Sequence, residues 1–318
     1  MSKVLVTGGA GFIGSNLVDQ LVQDGDEVIV VDDLSMGLAS NIPSSPKVTF
    51  YEHSITDHGF MKDLLLKEQF DYIYLLAAIA SVADSVARPY ETHQINQEAN
   101  VFILETIRQN KLPVKKVLFT SSAAVYGNNP ELPKHEDSTI DPLTPYAIDK
   151  FATERFVIDY GKLYNISTVA VRFFNVYGPR QNPKSPYSGV LSLITQCFKN
   201  NQVFSLFGDG EQTRDFIFIQ DVLSALHLIM TNNQAVHDVY NVATGKQSSL
   251  RTIITDYQKV VGQPLQVKTI TARAGDIKHS YADIAKLSQL GFTPQYTLLN
   301  GLTDYWISVK EDFLGEQE

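Results

Sequence analysis

Hydrophobic and polar positions follow two patterns that alternate along the chain. Short apolar runs typical of buried strands are separated by stretches with apolar residues three or four positions apart, typical of helices that bury one face. The predicted strands are Val4 to Thr7, Glu27 to Val31, Val48 to Tyr51, Tyr72 to Leu76, Lys116 to Thr120, Thr168 to Arg172 and Val239 to Asn241. Strands that alternate with helices predict an α/β fold with a doubly wound, mainly parallel sheet.

A glycine-rich turn follows the first predicted strand and leads into a helix. Its glycines are Gly8, Gly11 and Gly14, and the second strand ends in Asp32 and Asp33. Glycines let the backbone approach a diphosphate, a helix N-terminus donates hydrogen bonds to it, and an acid about 20 residues later binds ribose hydroxyls. The pattern predicts a Rossmann-type domain that prefers NAD to NADP, because a carboxylate at this place repels a 2′-phosphate.

The alternation becomes sparse after Arg172. The segments 182–186 and 208–210 are rich in proline and glycine, which predicts loops. We expect an NAD-binding Rossmann domain of residues 1–172 and about 216–243. A smaller C-terminal α/β domain of about 173–215 and 244–318 would bind the substrate.

Two predicted helices, around 91–109 and 146–163, carry broad apolar faces. Either these faces pack against the sheet, or they pair with a second copy of the chain to form a homodimer. The pattern is compatible with both arrangements.

Composition narrows the classes of partner. The 318 residues carry a formal net charge of −9 and one cysteine, Cys197. The charge argues against nucleic acid and gives no basic patch for a membrane, while a single cysteine rules out an intrachain disulfide and suits a reducing compartment. No apolar run approaches the ~20 residues of a membrane span, and we expect no signal peptide. We expect a soluble cytoplasmic protein without a metal site.

Three polar residues predict acid–base chemistry. Tyr146 and Lys150 are four positions apart, so on a helix the phenol and the ammonium group share one face. A nearby cation lowers the pKa of a tyrosine, which would make Tyr146 a proton acceptor near neutral pH. Ser122 follows the predicted strand at 116–120, and ligands of parallel sheets lie at the carboxyl ends of strands. We expect Ser122 to relay a proton between a substrate hydroxyl and Tyr146.

The glycine turn, the serine and the tyrosine–lysine pair, in this order, resemble the extended short-chain dehydrogenase/reductase family, in its NAD-dependent epimerase/dehydratase branch. The resemblance extends over about residues 3–313. It implies that Tyr146 is the catalytic base, that Lys150 holds the nicotinamide ribose and lowers the pKa of the tyrosine, and that Ser122 assists. It also implies tightly bound NAD⁺. Further cofactor contacts would come from Phe12, Ile13, Ser54, Ile55, Leu76, Ala77 and Ala78.

Two alanines narrow the implied reaction. Dehydratases of this family typically carry an Asp-Glu pair just after the serine or threonine, nucleotide glucuronate decarboxylases generally keep the glutamate, and 3,5-epimerase-reductases use a cysteine. Ala123 and Ala124 stand at these positions here, and alanine cannot transfer a proton. The resemblance then favours 4-epimerisation of a UDP-hexose. Tyr146 would take the O4 proton while a hydride leaves C4 for NAD⁺, and the hydride would return to the other face of the 4-keto sugar.

Segments after the first domain resemble the substrate contacts of the family. The segment 172–180 corresponds to the one whose asparagine binds the substrate diphosphate, which maps to Asn175. Phe204 and Ser205 fall in a stretch that resembles the lining of the uracil pocket. The resemblance therefore implies a UDP-sugar as substrate.

Four further residues complete the implied substrate site. Arg214 and Arg273 match two arginines that hold the diphosphate, as the guanidinium fork pairs bidentately with phosphate. Asp276 would bind the uridine ribose, and Ser280 lies four residues later, where the family places a gate beside the C2 substituent of the sugar. Tyrosine at this gate crowds an N-acetyl group and a small residue leaves room. Ser280 thus implies UDP-GlcNAc/UDP-GalNAc, with UDP-Glc/UDP-Gal as further substrates, unless it is a loop serine outside the site.

One departure from the family concerns the adenine end of the cofactor. The segment Glu52-His53-Ser54-Ile55 stands where the family usually has an acid followed by isoleucine or valine, and that acid recognises adenine. Ser54 would accept the same hydrogen bond more weakly, which bears on how tightly NAD is retained.

Other functions fit the same motifs. The chain could be a dehydratase or oxidoreductase of nucleotide sugars, or an epimerase restricted to UDP-Glc/UDP-Gal. A non-catalytic nucleotide sensor is a third class, although such proteins usually lose the tyrosine or the lysine. Ser122, Tyr146 and Lys150 are all retained here.

Overall fold

The computed structural model describes residues 1–181, 189–272 and 277–315, with side chains up to residue 311. The strands are β1 Lys3–Thr7, β2 Glu27–Asp32, β3 Val48–Glu52, β4 Tyr72–Leu75, β5 Lys116–Ser122, β6 Thr168–Phe173, β7 Asn175–Tyr177, β8 Phe204–Phe207, β9 Thr213–Arg214, β10 Phe216–Phe218, β11 Asp238–Val242, β12 Ser248–Ser249, β13 Val267–Ile270 and β14 His279–Ser280. The helices are α1 Phe12–Gln23, α2 His58–Glu68, α3 Val82–Ala87, α4 Pro89–His93, α5 Ala99–Asn110, α6 Pro145–Tyr164, α7 Val190–Lys199, α8 Ile219–Thr231, α9 Leu250–Val261, α10 Ala285–Gln289 and α11 Leu298–Gly315.

Seven strands form one parallel sheet in the order β11-β6-β5-β4-β1-β2-β3. Successive side chains of β1 point to opposite faces of the sheet. Because both faces are buried, alternate residues pack in different apolar clusters. Val4 and Val6 pack in one apolar cluster with residues of α1 and α8, whereas Leu5 packs in the other with residues of α2, α5 and α6. The predicted doubly wound α/β sheet is confirmed, and each of the seven predicted strands belongs to it.

The predicted helix around 91–109 is interrupted. A π-helical segment, Gln94–Glu98, lies between α4 and α5. Its Asn96 is buried, and the side-chain amide exchanges two hydrogen bonds with the backbone of Ile79, at 2.8 and 3.1 Å. Such single π turns occur mostly within longer helices and often at functional sites. Here the wider turn brings an asparagine against the chain just after β4.

The C-terminal part contains three small sheets, of strand orders β10-β7, β12-β9-β14 and β13-β8. Buried Asp215 stabilises this region, because its carboxylate accepts hydrogen bonds from the backbone of Thr244, Gly245 and Ala282. The apolar cluster under α1 and α8 continues into this part through Tyr177. Across the described ranges, none of the helices has the length and apolarity that a bilayer crossing requires. The boundaries of the two expected domains remain a prediction.

Candidate active site

A cavity of about 440 Å³ lies at the carboxyl ends of β1, β2, β4 and β5. Its position agrees with the rule that open α/β sheets bind ligands where the strand order reverses, here beside β1. Every residue predicted for catalysis or for the cofactor lines this one cavity. They are Gly8, Gly11, Phe12, Ile13, Gly14, Asp32, Ser54, Ile55, Leu76, Ala77, Ala78, Ser122, Tyr146 and Lys150.

The glycine turn is shaped for close approach of a ligand. Gly8 has a φ of +73°, and a Cβ there would lie 2.7 Å from the amide nitrogen of Ala77. A Cβ on Gly14 would lie 2.1 Å from the carbonyl oxygen of Gly8. Helix α1 begins after Gly11, which offers no side-chain cap. The first amide groups of α1 therefore lack a side-chain acceptor at the cavity wall, as an anion site requires.

The Asp32 carboxylate is held at the cavity by two backbone donors. It accepts hydrogen bonds from the amide of Ala10 at 2.9 Å and from that of Leu34 at 2.8 Å. Burial raises the pKa of Asp32, and these backbone hydrogen bonds act in the opposite direction. The carboxylate is thus fixed where the sequence places the ribose hydroxyls.

On the strand next to that of Asp32, the chain continues into a loop in which the Ser54 hydroxyl already has partners. Its Oγ lies 2.9 Å from Oγ1 of Thr56 and accepts a hydrogen bond from the amide of Thr56 at 3.3 Å. The neighbouring His53 also lines the cavity and stacks on Phe60, with ring centroids 4.0 Å apart. Ser54 therefore offers a polar but uncharged wall.

Local sequence determines how α6 presents Tyr146. Thr144 caps the helix by accepting a hydrogen bond from the amide of Ala147 at 3.3 Å, and Pro145 is the first helical residue. Tyr146 consequently lies in the first turn, at the positive end of the dipole of a 20-residue helix. The phenol and Ser122, which ends β5, share a hydrogen bond that stabilises the phenolate.

The lowering of the Tyr146 pKa by Lys150 stays a prediction. Burial raises the pKa of Tyr146, and only the hydrogen bond from Ser122 opposes this shift. Burial also lowers the pKa of Lys150, to about 7. The Lys150 Nζ lies 5.9 Å from the centre of the Tyr146 ring and donates to the carbonyl of Thr120 at 2.8 Å. A lysine whose pKa lies near neutrality is only partly charged there, so its effect on the phenol depends on pH.

A second cavity of about 270 Å³ contains the first four predicted substrate residues, Asn175, Phe204, Ser205 and Arg214. The side chain of Asn175 donates to the carbonyl of Asp215 at 3.0 Å, which holds β7 against the turn before β10. One segment lines both cavities: Asn175 lines the second cavity, and its neighbours Phe174 and Val176 line the first cavity. The two cavities are therefore adjacent.

Ser280 lines neither cavity, but it lies next to one of the predicted anchors. Strand β14 pairs with β9, and Ser280 is in register with Arg214. Arg273 and Asp276 fall outside the described residues. Of the predicted substrate residues, the structure thus places five close together or on paired strands.

Sequence reasoning missed Asn96, which holds a wall of the site. Besides its two bonds to Ile79, a cavity residue, its carbonyl accepts a hydrogen bond from Thr153 of α6 at 3.0 Å. Asn96 thereby joins the floor of the cavity to the helix that carries Tyr146. A buried asparagine in an otherwise amphipathic helix was the available signal.

Comparisons with known proteins agree with this geometry. The family model described as the NAD dependent epimerase/dehydratase family matches residues 4–243. The chain belongs to the NAD-dependent epimerase/dehydratase family.

Relatives match this family member over nearly its whole length. A putative UDP-glucose 4-epimerase of Methanocaldococcus jannaschii is 36% identical, over 94% of this chain and 95% of the relative. The structure of UDP-glucose 4-epimerase of Thermotoga maritima with UDP-glucose has a TM-score of 0.92 at 33% identity, covering 98% and 99% of the two chains. A UDP-N-acetylglucosamine 4-epimerase of Methanobrevibacter ruminantium, in complex with UDP-N-acetylmuramic acid, has a TM-score of 0.92 at 35% identity, with the same coverage.

The cofactor of this epimerase/dehydratase is NAD, and the first cavity fits it. The uncapped start of α1 and the close packing at Gly14 suit a diphosphate, and Asp32 suits an unphosphorylated ribose. Ser122, Tyr146 and Lys150 lie at the same cavity. The residues present are therefore those that a dinucleotide beside an acid–base site needs.

Replacing Lys150 by methionine should stabilise the NAD-free protein in a pH-dependent way. Burial lowers the pKa of Lys150 to about 7 from its usual 10.5. Between these values the unfolded chain binds the proton and the folded protein does not, so wild-type stability contributed by this group rises with pH. The gain from Lys150→Met should be largest at pH 7 and below, a few kcal/mol at most, and should fade toward pH 10.5.

Urea unfolding of both proteins between pH 6 and 10 measures this difference. Exposed Lys62 provides the control, since Lys62→Met should change stability equally at every pH. A Lys150→Met difference that does not vary with pH would contradict the assignment.

Replacing Ser54 by aspartate should strengthen NAD binding. A carboxylate accepts a hydrogen bond from the adenine amino group more strongly than a hydroxyl already bonded to Thr56. We expect the dissociation constant for NAD, measured by calorimetry, to fall about 10-fold, which corresponds to roughly 1.4 kcal/mol. Ser54→Asn has the shape of aspartate without its charge and should give little of this gain; equal gains for both variants would refute a charge effect.

Proposed function

We propose that the protein is a UDP-hexose 4-epimerase that interconverts UDP-GlcNAc and UDP-GalNAc, and also UDP-Glc and UDP-Gal, with NAD retained through turnover. The observation that carries the proposal is the convergence of Ser122, Tyr146 and Lys150 on the cavity that holds the glycine turn. The printed names of the relatives, UDP-glucose and UDP-N-acetylglucosamine 4-epimerases, support the same reaction.

Tyr146 acts on the hydroxyl at C4 of the hexose. Bound NAD⁺ supplies the acceptor and donor of a hydride. The phenolate of Tyr146 takes the proton of the C4 hydroxyl, and the phenol returns it when the hydroxyl is restored. The hydrogen bond from Ser122 and the positive end of α6 both favour the phenolate. The Nζ of Lys150 donates a hydrogen bond to the carbonyl of Thr120, which holds this side chain at the same wall of the cavity.

The residues after Ser122 support a reaction at one carbon. Ala123 and Ala124 form the short helical turn Ala123–Tyr126, which Ser122 caps by accepting a hydrogen bond from the amide of Ala124 at 3.2 Å. Neither alanine has a group that can remove a proton from C5 or protonate a leaving hydroxyl. Dehydration would need such a group at this place.

The second cavity suits the nucleotide half of the substrate. Arg214 offers a guanidinium for the diphosphate, and Phe204 with Phe207 offers apolar surface for the uracil ring. Arg273 and Asp276 are proposed to complete these contacts. Since this cavity adjoins the first, an anchored diphosphate would direct the hexose toward Tyr146.

Incubating the protein with UDP-GlcNAc, without added cofactor, tests the reaction. Growth of UDP-GalNAc, resolved by chromatography, supports the epimerase. A 4-keto-6-deoxy product would indicate a dehydratase, accumulating NADH an oxidoreductase, and no turnover a sensor.

Tyr146→Phe tests the role of the phenol in this reaction. We expect kcat to fall by at least ~100-fold while NAD content is unchanged, because general acid–base groups typically contribute 10²–10⁴-fold. Tyr160→Phe, on the same helix, removes a hydroxyl whose hydrogen bond to Glu105 is 3.4 Å long, and this variant should keep its activity. Full activity of Tyr146→Phe would remove this residue from the mechanism.

Ser280→Tyr tests the substrate range. Ser280 is in register with Arg214, so a large side chain there would intrude beside the proposed diphosphate anchor. The family resemblance places this residue beside the C2 substituent of the sugar, where a tyrosine would crowd an N-acetyl group more than a hydroxyl. We therefore expect kcat/KM for UDP-GlcNAc to fall at least ~10-fold relative to that for UDP-Glc. Ser288→Tyr, at an exposed position of α10, should leave the ratio unchanged. Equal losses on both substrates would refute the gate.

We also propose a homodimer formed through α6. Its Ile148, Phe156 and Leu163 are exposed, and Tyr90 of α4 is exposed on a helix that packs against α6. Light scattering should give twice the chain mass, and Phe156→Glu should give a monomer. Val203→Glu, at an exposed position before β8, should remain dimeric. A wild-type mass of one chain would refute the dimer.

A further inference from the structure

Arg172 belongs to the segment that includes Asn175, yet it lines neither cavity. It is 3% exposed at the end of β6, and its guanidinium makes four hydrogen bonds to protein groups. Two of them join Glu154 of α6, at 2.9 and 2.6 Å. The other two reach the hydroxyl of Tyr126 and the carbonyl of Glu136, both at 2.8 Å. With four of five donors used, this arginine serves the protein and not a ligand.

Two of the three residues that accept hydrogen bonds from Arg172 belong to the pieces of chain that carry the acid–base residues. Tyr126 ends the short turn that begins after Ser122. Glu154 lies on α6, four positions after Lys150 and eight after Tyr146. One buried guanidinium therefore bonds both to the turn of Ser122 and to the helix of Tyr146.

The Tyr126 hydroxyl is held by two hydrogen bonds to protein groups. It accepts the hydrogen bond from Arg172 and donates to Oδ1 of Asn241 on β11 at 2.7 Å. The guanidinium carbon also lies 4.8 Å from the centre of the Tyr126 ring. Because Tyr126 is fully buried, losing either hydrogen bond would leave a polar group without water to replace it.

The energetics of this ion pair favour a role in geometry. Arg172 and Glu154 are both nearly inaccessible to solvent. Desolvation of two buried charges offsets most of their attraction, so apolar residues of similar volume often stabilise a protein equally well. An apolar pair cannot make the several oriented hydrogen bonds of a guanidinium, which fix the distance between two elements of the fold.

We propose that Arg172 and Tyr126 are positioning residues that hold the turn of Ser122 in hydrogen-bonding reach of Tyr146. Tyr126 connects to the turn and Glu154 to the helix, so the separation of Ser122 and Tyr146 depends on the guanidinium between them. The inference rests on the proposed function for its kinetic consequence. Its structural consequence, an ordered turn at residues 122–126, does not depend on the reaction.

Tyr126→Phe tests the proposal by removing only the hydroxyl. We expect kcat for the UDP-sugar to fall about 10-fold or more with KM and NAD content unchanged, as small misplacements of reacting groups are costly. In the pH dependence of kcat, the acid limb should move to higher pH. A less firmly positioned Ser122 stabilises the phenolate less, so the pKa of Tyr146 rises. Hydrogen–deuterium exchange should quicken at residues 122–126.

Tyr257→Phe is the matched control. Tyr257 is equally buried and also has a strong hydrogen bond, at 2.7 Å to Thr195, but it lies on α9, away from the first cavity. It should lose stability without any change in kcat, pH profile or exchange at 122–126. If Tyr126→Phe does not fold, Glu154→Gln, which keeps the shape of the side chain, should give the same three changes.

The outcomes separate failure of the inference from failure of the proposed function. A wild-type protein without epimerase activity would refute the function, and the exchange measurement would still decide the inference. Unchanged exchange at 122–126 in a folded Tyr126→Phe or Glu154→Gln variant would overturn it. So would an active variant whose kcat and pH profile match those of wild type.

Discussion

The burial of Lys150 and the partial burial of Tyr146 at the cavity wall are the constraint on which the site depends. Burial favours the uncharged form of both groups, so it raises the pKa of the phenol and lowers that of the ammonium. Besides the spacing of the two residues on α6, other contacts therefore have to offset the effect of burial. Oriented polar groups oppose the effect of burial. The hydrogen bond from Ser122 and the positive end of α6 act on the phenol, and the carbonyl of Thr120 accepts a hydrogen bond from the lysine. The contacts with Ser122 and Thr120 depend on the end of β5 lying close to the start of α6.

That closeness could be predicted, because parallel topology brings the ends of strands to one edge of the sheet. Runs of apolar residues identified the seven strands, and the order of glycine turn, Ser122 and Tyr146 then implied a shared crevice. The direction of the pKa of Tyr146 could not be predicted. It depends on the surroundings that the fold brings to the phenol, and residues such as Phe173 and Phe174 line the same cavity from a segment more than 25 positions later in the chain. The spacing of Tyr146 and Lys150 in the sequence does not indicate how far distant segments bury these side chains.

The polar contacts that brace the site were also beyond local patterns. Asn96 bonds to a residue 17 positions away, and Arg172 to partners 18 and 46 positions away. Helical and strand periodicities report which face of an element is apolar, and they do not report which distant polar group a buried polar side chain meets. A buried asparagine that widens a helix into a π turn, or an arginine within a strand, is visible in sequence only as an exception to the apolar pattern. Here both exceptions lie directly behind the candidate site.

Substrate selection and proton transfer lie on different parts of the fold. Ser280 and Arg214 share the small sheet β12-β9-β14, whereas Ser122 and Tyr146 belong to the large sheet and α6. The Asp215 carboxylate accepts a hydrogen bond from the amide of Ala282, two residues after Ser280, and this contact stabilises the small sheet. On the proposed function, a change of side chain at 280 would alter the space beside the hexose without moving the phenol. The same acid–base site could then serve UDP-sugars that differ at C2, which is a physical reason for relatives of one fold to differ in their sugars.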